Sequence, residues 1–168
     1  MGEAIAFYTL ATLVLAFAVL VVSTKDTVHS VLYLVLDFLF VAALYVLLQA
    51  EFVAVIQVLV YAGGIVVLYL FVVMLVNLKR PPEAYQDPRR QTKLGLGLAA
   101  ALLAELGAIG AYSYGRPVPV PAPALPVAGN TQQVGWLLYT SYLIPFEIAS
   151  MLLLVAMIGA IVLAKREL

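Results

Sequence analysis

Long apolar runs, separated by short polar stretches, dominate the pattern of residues along the chain. A helix needs about 20 mostly apolar residues to cross a membrane, whereas a barrel strand needs about 10. Lipid also excludes an open sheet, because the edge groups of the sheet find no hydrogen-bond partners there. The pattern therefore predicts an all-α integral membrane protein with five transmembrane helices in a single membrane domain, residues 1–168. The predicted helices cover residues 5–22, 31–48, 52–78, 94–112 and 142–164.

The basic residues lie almost entirely on one side of this predicted helix bundle. Every Lys and Arg except Arg116 lies in the first loop, in the third loop or at the C-terminus. An even number of predicted helices separates these three regions, so they share one side of the membrane. Because Lys and Arg concentrate in cytoplasmic loops, we expect the C-terminus in the cytoplasm and the N-terminus outside.

The predicted loops differ in kind. The second loop is little more than residues 49–51, so predicted helices two and three are expected to form a tight hairpin. The fourth is a proline-rich outer loop, residues 113–141, in which proline alternates with small apolar residues. This composition favours extended polyproline II, which has no internal hydrogen bonds. We interpret this loop either as a spacer or as a strap over a neighbouring subunit.

Composition limits the chemistry that the chain can perform. The chain is 65% hydrophobic and 11% charged, whereas a soluble domain is about half apolar and about a quarter charged. Its net charge of zero gives no electrostatic reason to bind nucleic acid. The sequence has no cysteine, which excludes disulfides, thiolate metal sites and Fe–S ligation by this chain, and its one histidine, His29, cannot form a metal site alone. We therefore expect no metal site in this chain.

Four acidic residues lie within or at the edges of the predicted helices: Asp37, Glu51, Glu105 and Glu147. An ionisable group inside a span is costly and commonly marks function or buried pairing. Asp37 and Glu105 lie deepest, so each is expected to face protein or water, either in a proton path or as a buried hydrogen-bonding group. The helix dipole explains Glu51, and hydration at the membrane edge explains Glu147. Asp37 is a primary candidate for the proton path or gate, and Glu51, Glu105 and Glu147 are secondary candidates.

Predicted helix three, residues 52–78, is the most informative segment. At 1.5 Å per residue it is about 40 Å long, which exceeds a hydrocarbon core of about 30 Å. It must therefore tilt, protrude or deform locally. The pair Gly63-Gly64 near its middle lowers the cost of a deformation, of which a π-bulge is one form. Gln57 and Tyr61 lie one turn apart on one face, where they can hold water or exchange protons. The alternative interpretation is close helix packing at the two glycines.

The same segment, "EFVAVIQVLVYAGGIVVLYLFVVMLVNL", resembles the third helix of a known family. This family is the J-type membrane subunit of respiratory NADH:quinone oxidoreductase (complex I), called chain 6 in mitochondria. Its pattern reads approximately Y-[AV]-G-A-[IV]-x-V-L-[FY]-L-F-V-x-M-L. The matching positions here are Tyr61, Ala62, Gly63, Gly64, Ile65, Val67, Leu68, Tyr69, Leu70, Phe71, Val72, Met74 and Leu75.

The resemblance covers residues 25–77, because "DTVHSVLYLVL" is similar to the family's N-P-V-H-S-x-L. This chain has Gly64 where the family has alanine, which should ease a bend in the helix. It has Asp26-Thr27 where the family has Asn-Pro, so the start of helix two is expected to differ.

The resemblance implies a subunit that binds no cofactor and performs no redox step by itself. FMN, Fe–S clusters and quinone are then expected in other subunits of a proton-translocating oxidoreductase. The implied partners are the lipid bilayer and other membrane-arm subunits: the small K-type, the A-type, the H-type and the antiporter-like subunits. Switching between a π-bulge and a regular helix around Tyr61 and Gly63 would open or break a water wire for protons. The resemblance carries no role onto Asp37, Glu105 or Glu147, which match no family motif.

Three other interpretations stay open. The chain could be a purely structural subunit of the same assembly, or the equivalent subunit of a related hydrogenase or antiporter complex. An independent small transporter or channel is a further class, but the sequence has neither an inverted repeat nor a ring of pore-lining charges. No targeting sequence precedes the first predicted helix, so we expect a multi-pass protein of a bacterial inner (plasma) membrane.

Overall fold

The computed structural model describes residues 1–76, 88–114 and 129–165, and every regular element in these ranges is a helix. Five of the helices are long and apolar enough to cross a membrane, which confirms the predicted all-α membrane protein with five spans. The orientation of the spans stays a prediction. The helices are α1 Gly2–Ser23, α2 Thr27–Leu47, α3 Glu51–Leu75, α4 Pro88–Ser113, α5 Asn130–Thr140 and α6 Leu143–Ala164.

These helices belong to two compact units. The first contains α1, α2, α3, α5 and α6, and the second contains α4. Within α4 the part from Thr92 to Ser113 meets the length and hydropathy of a membrane span. The assignment of a single membrane domain stays a prediction. Most of the third loop and the proline-rich part of the fourth lie outside the described residues, and so does the choice between spacer and strap.

A short helix, α5, lies within residues 113–141, which the sequence analysis treats as outer loop. It is too short to cross a membrane. Its start follows Gly129, whose φ of 103° is a left-handed conformation that favours glycine. At its other end the ring of Tyr139 contacts Phe146 of α6 edge-on, with centroids 5.4 Å apart. The outer loop therefore contains a helix that packs on the start of the last span.

α1 and α2 form a hairpin with a short connection. The hydroxyl of Ser30 donates to the carbonyl oxygen of Val21 at 2.7 Å, which joins the first turn of α2 to the end of α1. Deeper in the hairpin the ring of Phe17 contacts both Tyr33 and Phe40, with centroids 6.1 and 5.2 Å apart. These ring contacts identify the face of α2 that packs on α1.

Asp26 is the N-cap of α2, at the position where the family pattern has asparagine. Its Oδ1 accepts hydrogen bonds from the backbone N–H groups of Val28 at 2.9 Å and His29 at 3.4 Å. The Nδ1 of His29 lies 3.0 Å from Asp26 Oδ2. The hydrogen bond with the His29 side chain, followed by those from the two backbone amides, lowers the pKa of Asp26. The aspartate therefore caps the helix as well as asparagine can.

α2 ends in a tight turn, after which the chain reverses direction and continues as α3. The N–H of Ala50 donates to the carbonyl oxygen of Tyr45 at 2.9 Å, and the N–H of Gln49 donates to that of Val46 at 3.0 Å. This pair of bonds is a Schellman motif, which requires a left-handed residue after the helix. Gln49 takes that conformation with a φ of 60°. The predicted tight hairpin is thus made by a non-glycine residue in a strained conformation.

Gln49→Gly is expected to raise the thermal stability of the protein. The left-handed conformation costs a non-glycine residue about 1 kcal/mol, which glycine does not incur. The midpoint of heat-induced loss of the assembled subunit, measured in mild detergent, should therefore rise. Ala50→Gly is the control, because Ala50 has a φ of −99° and gains no relief from the change. A lower midpoint for Gln49→Gly than for the unchanged protein would show that the Gln49 side chain has a role of its own.

The buried apolar residues of the described chain all lie in α2 and α3. They are Val31, Ala42, Ala54, Ala62 and Val66. Several are alanine, and small side chains let two helices approach closely in a membrane. The buried polar residues of the described chain, Asp37 and Gln57, lie in the same two helices. The contact between α2 and α3 is therefore where the candidate site has to be sought.

Candidate functional site

The centre of α3 is a π-helical segment, Gln57–Ile65, between α-helical parts Glu51–Ile56 and Val66–Leu75. The N–H of Val66 donates to the carbonyl oxygen of Tyr61, five residues back. An α-helix would direct that bond to a residue four back. Long π-helices are rare, and single π-turns occur frequently at functional sites. The segment contains four of the predicted site residues: Gln57, Tyr61, Gly63 and Gly64.

The two glycines of this segment differ in how much space surrounds them. A Cβ added to Gly63 would lie 3.2 Å from the backbone oxygen of Val58, which is closer than normal contact. A Cβ added to Gly64 would lie 3.8 Å from the oxygen of Leu59, an ordinary van der Waals distance. A side chain at Gly63 would therefore crowd the π-helical backbone, whereas alanine at Gly64 would not. This agrees with the family pattern, which has alanine at the second position.

Gln57 and Tyr61 lie on the part of α3 that packs against α2. Gln57 is 9% exposed, whereas Tyr61 is 46% exposed. The ring of Tyr61 contacts Phe38 of α2 edge-on, with centroids 5.8 Å apart and planes at 79°. A buried amide and a half-exposed phenol on consecutive turns give the π-helical segment one polar side. These groups can donate and accept hydrogen bonds, and so can hold water.

Asp37 lies in the middle of α2 and is 8% exposed. Its Oδ1 is buried and has no hydrogen-bond partner within the described residues. Phe38, the next residue, contacts Tyr61 of the π-helical segment. Asp37 is thus adjacent in sequence to the α2 ring that contacts the π-helical segment.

The three secondary candidates lie elsewhere. Glu51 is exposed in the first turn of α3, where an acid is favoured by the helix dipole. Glu105 is exposed on α4, which belongs to the second unit. Glu147 is exposed in the first part of α6. In the described part of the chain, none of these three is buried in α2 or α3, where Asp37 and Gln57 lie.

Asn130 is a residue that sequence reasoning missed. Its side-chain oxygen accepts a hydrogen bond from the backbone N–H of Phe52 at 3.1 Å, across 78 residues of sequence. It therefore caps the start of α3, where Ala50 supplies no side-chain cap. The only available signal was a polar residue after Gly129, and that signal does not indicate which helix the residue caps.

Asn130→Ala is expected to loosen the start of α3. A lost hydrogen bond of this kind costs about 1 kcal/mol, which should speed amide exchange near Phe52 by about fivefold. Hydrogen–deuterium exchange of the purified protein, read by mass spectrometry, measures this. Thr131→Ala, at the exposed neighbouring residue, is the matched control. Equal exchange rates in both variants would mean that the Asn130 bond does not hold this helix start.

The described residues contain no group of three or more His, Cys, Asp or Glu side chains that could hold a metal ion. Along the packed helices α2 and α3, the polar candidates are the buried carboxyl of Asp37, the buried amide of Gln57 and the phenol of Tyr61. Such groups can bind water and relay protons. The arrangement defines a class of protein: a multi-pass membrane protein whose polar residues gather beside an irregular helix within the membrane.

Comparison with known proteins identifies the family within this class. Residues 17–163 match the model of the family NADH-ubiquinone/plastoquinone oxidoreductase chain 6. The NADH-quinone oxidoreductase subunit J of Rhodobacter capsulatus is 41% identical over 166 residues, which cover 96% of this chain and 81% of that protein. The NADH-ubiquinone oxidoreductase chain 6 of Marchantia polymorpha is 37% identical over 174 residues, covering 97% and 87%. The NAD(P)H-quinone oxidoreductase chain 6 of Leptolyngbya boryana is 38% identical over 165 residues, covering 98% and 81%. The chain belongs to this family, which confirms the resemblance found in the sequence.

Proposed function

We propose that this chain is a non-catalytic membrane-arm subunit of a proton-pumping NADH:quinone oxidoreductase, and that its π-helical segment gates a proton path. One observation carries the second part of this proposal. The π-helical segment, Gln57–Ile65, coincides with the start of the family motif, Tyr61 to Ile65, and with the buried amide of Gln57. Family membership supports the first part.

The gate acts through the hydrogen-bonding register of α3, that is, through which carbonyl oxygen each backbone N–H donates to. An α-helix turns each residue by about 100° relative to the last, because it has 3.6 residues per turn. Converting the π-helical segment to a regular helix removes its extra residue per turn. For each extra residue that is removed, the part of α3 on one side of the segment rotates by about 100° relative to the part on the other side, and shifts by about 1.5 Å. Gln57 and Tyr61 move relative to α2 as a result, which makes or breaks a chain of hydrogen-bonded water.

A pump needs such a gate because protons otherwise flow back through the path. Moving one charge against the membrane potential costs about 2.3 kcal/mol per 100 mV. A helix with two hydrogen-bonding registers of similar free energy is a bistable element that a distant event can bias. In this proposal quinone reduction in another subunit biases the register. The FMN, Fe–S clusters and quinone belong to other subunits, and the neighbours of this chain are the K-type, A-type, H-type and antiporter-like membrane subunits.

Co-purification tests membership of such a complex. The chain would be tagged at its C-terminus, extracted from bacterial plasma membranes in mild detergent and run on a native gel stained for NADH dehydrogenase activity. Migration of the tag with a very large, NADH-active band supports the proposal. Migration as a small oligomer without NADH activity contradicts it and favours an independent transporter. A large band with hydrogenase activity in place of NADH activity identifies the related complex instead.

A purely structural role is the second candidate function. It is favoured by the exposed apolar faces of α1 and α6, which have no buried residue and are available to lipid or other subunits. This role predicts that every damaging substitution reduces the amount of assembled complex in proportion to activity. The gate predicts substitutions that reduce pumping while the complex still assembles.

A further inference from the structure

We propose that the carboxyl group of Asp37 is a proton-binding site on α2, which takes a proton from water and returns it to water as α3 changes register. This proposal deepens the proton path and rests on the function proposed above. The site is distinct from the family motif, which contributes no acidic residue at this position. Its ligand is a proton delivered by a hydrogen-bonded water molecule.

One carboxylate oxygen of Asp37 is buried without a hydrogen-bond partner in the described chain. Asp37 is 8% exposed, and its Oδ1 has no hydrogen-bond partner in the described chain. Buried polar atoms in folded proteins almost always have a partner, and water commonly supplies it where protein does not. An aspartate that served only to cross-link two helices would have its oxygens bonded to those helices. Since no described protein group satisfies this buried oxygen, a water molecule in the proposed path is the partner that would do so.

Asp37 lies on a helix that packs against both α1 and α3. Tyr33 and Phe40 lie one turn before and one turn after Asp37, and both contact Phe17 of α1. Residues four before and three after share a helix face, so Asp37 belongs to the face that packs on α1. The adjacent residue, Phe38, faces the π-helical segment and contacts Tyr61. Asp37 therefore lies at the edge of the α1 contact that is nearest to the gate.

The described surroundings of Asp37 carry no positive charge within the packed helices. The helices packed on α2 are α1 and α3, and the described parts of α1, α2 and α3 contain no Lys or Arg. His29, at the start of α2, pairs with Asp26 instead. The other carboxylates, Glu3 and Glu51, lie at helix starts, and the remaining titratable groups are the phenols Tyr8, Tyr33, Tyr45, Tyr61 and Tyr69. The described parts of these helices offer no cation to an ionised Asp37, so the charged carboxylate is costly there unless water reaches it.

The proton balance is simple. On uptake an O–H bond forms at a carboxylate oxygen of Asp37, and a hydronium ion becomes water. On release that O–H bond breaks, and a neighbouring water takes the proton. The movement of Gln57 and Tyr61 between the two registers of α3 changes which water can reach the carboxyl. Asp37 thus loads in one register and unloads in the other.

Asp37→Asn is the decisive variant, because it keeps the size and polarity of the side chain but cannot ionise. In the whole complex in membrane vesicles, proton transfer through this step should slow by about 100-fold, the low end of what a positioned proton-transfer group contributes. NADH oxidation with an uncoupler should persist, and the carboxylic-acid band of redox-induced infrared difference spectra should disappear. Asp37→Glu keeps a carboxyl and should restore part of the pumping. Glu3→Gln, at an exposed carboxylate near the N-terminus, is the control for the band.

The outcomes separate this proposal from the gate. If Asp37→Asn pumps as the unchanged protein does and the band persists, Asp37 is not a proton-binding site, and the gate is unaffected. If the Asn variant fails to assemble, the residue is structural and the proposal is wrong. If Asp37→Leu assembles and pumps normally, the carboxyl is dispensable and the proposal is again wrong. Loss of pumping in Asp37→Asn together with normal pumping in Gly63→Val would retain the proton site and overturn the gate.

Discussion

Gly63→Val is expected to lower NADH-driven proton pumping by about tenfold while the complex still assembles. A Cβ at this position already meets the backbone oxygen of Val58 at 3.2 Å, and valine adds two further carbons. Overpacking of this kind costs about 1–3 kcal/mol, and about 1.4 kcal/mol shifts an equilibrium tenfold. This cost destabilises the π-helical register, because the close approach to the Val58 oxygen is a feature of the π-helical backbone. The variant therefore favours the regular helix and holds the gate in one state.

The measurement uses inverted membrane vesicles. Proton uptake is followed with a pH-sensitive dye, NADH oxidation is followed with and without an uncoupler, and native gels give the amount of assembled complex. Gly63→Ala and Gly64→Ala are a matched pair, the same change one residue apart. The added Cβ is crowded at Gly63 and in ordinary contact, at 3.8 Å, at Gly64. Only the first alanine variant is expected to pump less.

Two results would contradict the gate. Gly63→Val that assembles and pumps as the unchanged protein does would show that the register of α3 is not involved. Equal losses in the two alanine variants, in proportion to lost assembly, would show that both glycines serve close helix packing. The chain would then be a structural subunit, as the second candidate function holds.

The spans were predictable from sequence because a membrane imposes one dominant requirement, a long apolar run. The predicted helix 142–164 and the structural helix Leu143–Ala164 agree closely for this reason. The short helix Asn130–Thr140 was not predicted, since it is not long enough to produce a spanning run. The turn at Gln49 was also invisible, because the sequence offers no glycine where the backbone becomes left-handed. The short helix and the left-handed turn thus leave no signal in a pattern of long apolar runs and helical periods.

The site was predictable as a list of residues but not as an arrangement. Gln57 and Tyr61 share a face by helical spacing alone, and the glycine pair marks a place where deformation is cheap. The difference between Gly63 and Gly64 depends on the positions of two backbone oxygens, which only coordinates give. The burial of Asp37 depends on how α2 packs between its neighbours. Partners such as Phe38 and Asn130 carry no signal, because an apolar ring and a loop amide are unremarkable in a membrane protein.

Tyr61→Phe is expected to reduce coupled proton pumping by about tenfold, with unchanged assembly. Phenylalanine keeps the edge-on ring contact with Phe38, at 5.8 Å between centroids, and removes only the hydroxyl. In the proposed path the hydroxyl holds water beside the π-helical segment. Leaving a buried water without that partner costs about 1–3 kcal/mol, which corresponds to about tenfold in rate. The same vesicle assays of proton uptake and uncoupled NADH oxidation measure the effect.

Tyr69→Phe is the matched control for Tyr61→Phe. Tyr69 lies on the same helix, in the α-helical part Val66–Leu75, and is 51% exposed against 46% for Tyr61. The two substitutions remove the same group at similar exposure, so only the position relative to the π-helical segment differs. A third variant, Tyr61→Leu, also removes the ring that contacts Phe38. If Tyr61→Phe pumps normally and Tyr61→Leu does not, the ring positions α3 against α2, and the water chain must run past Gln57 without the phenol.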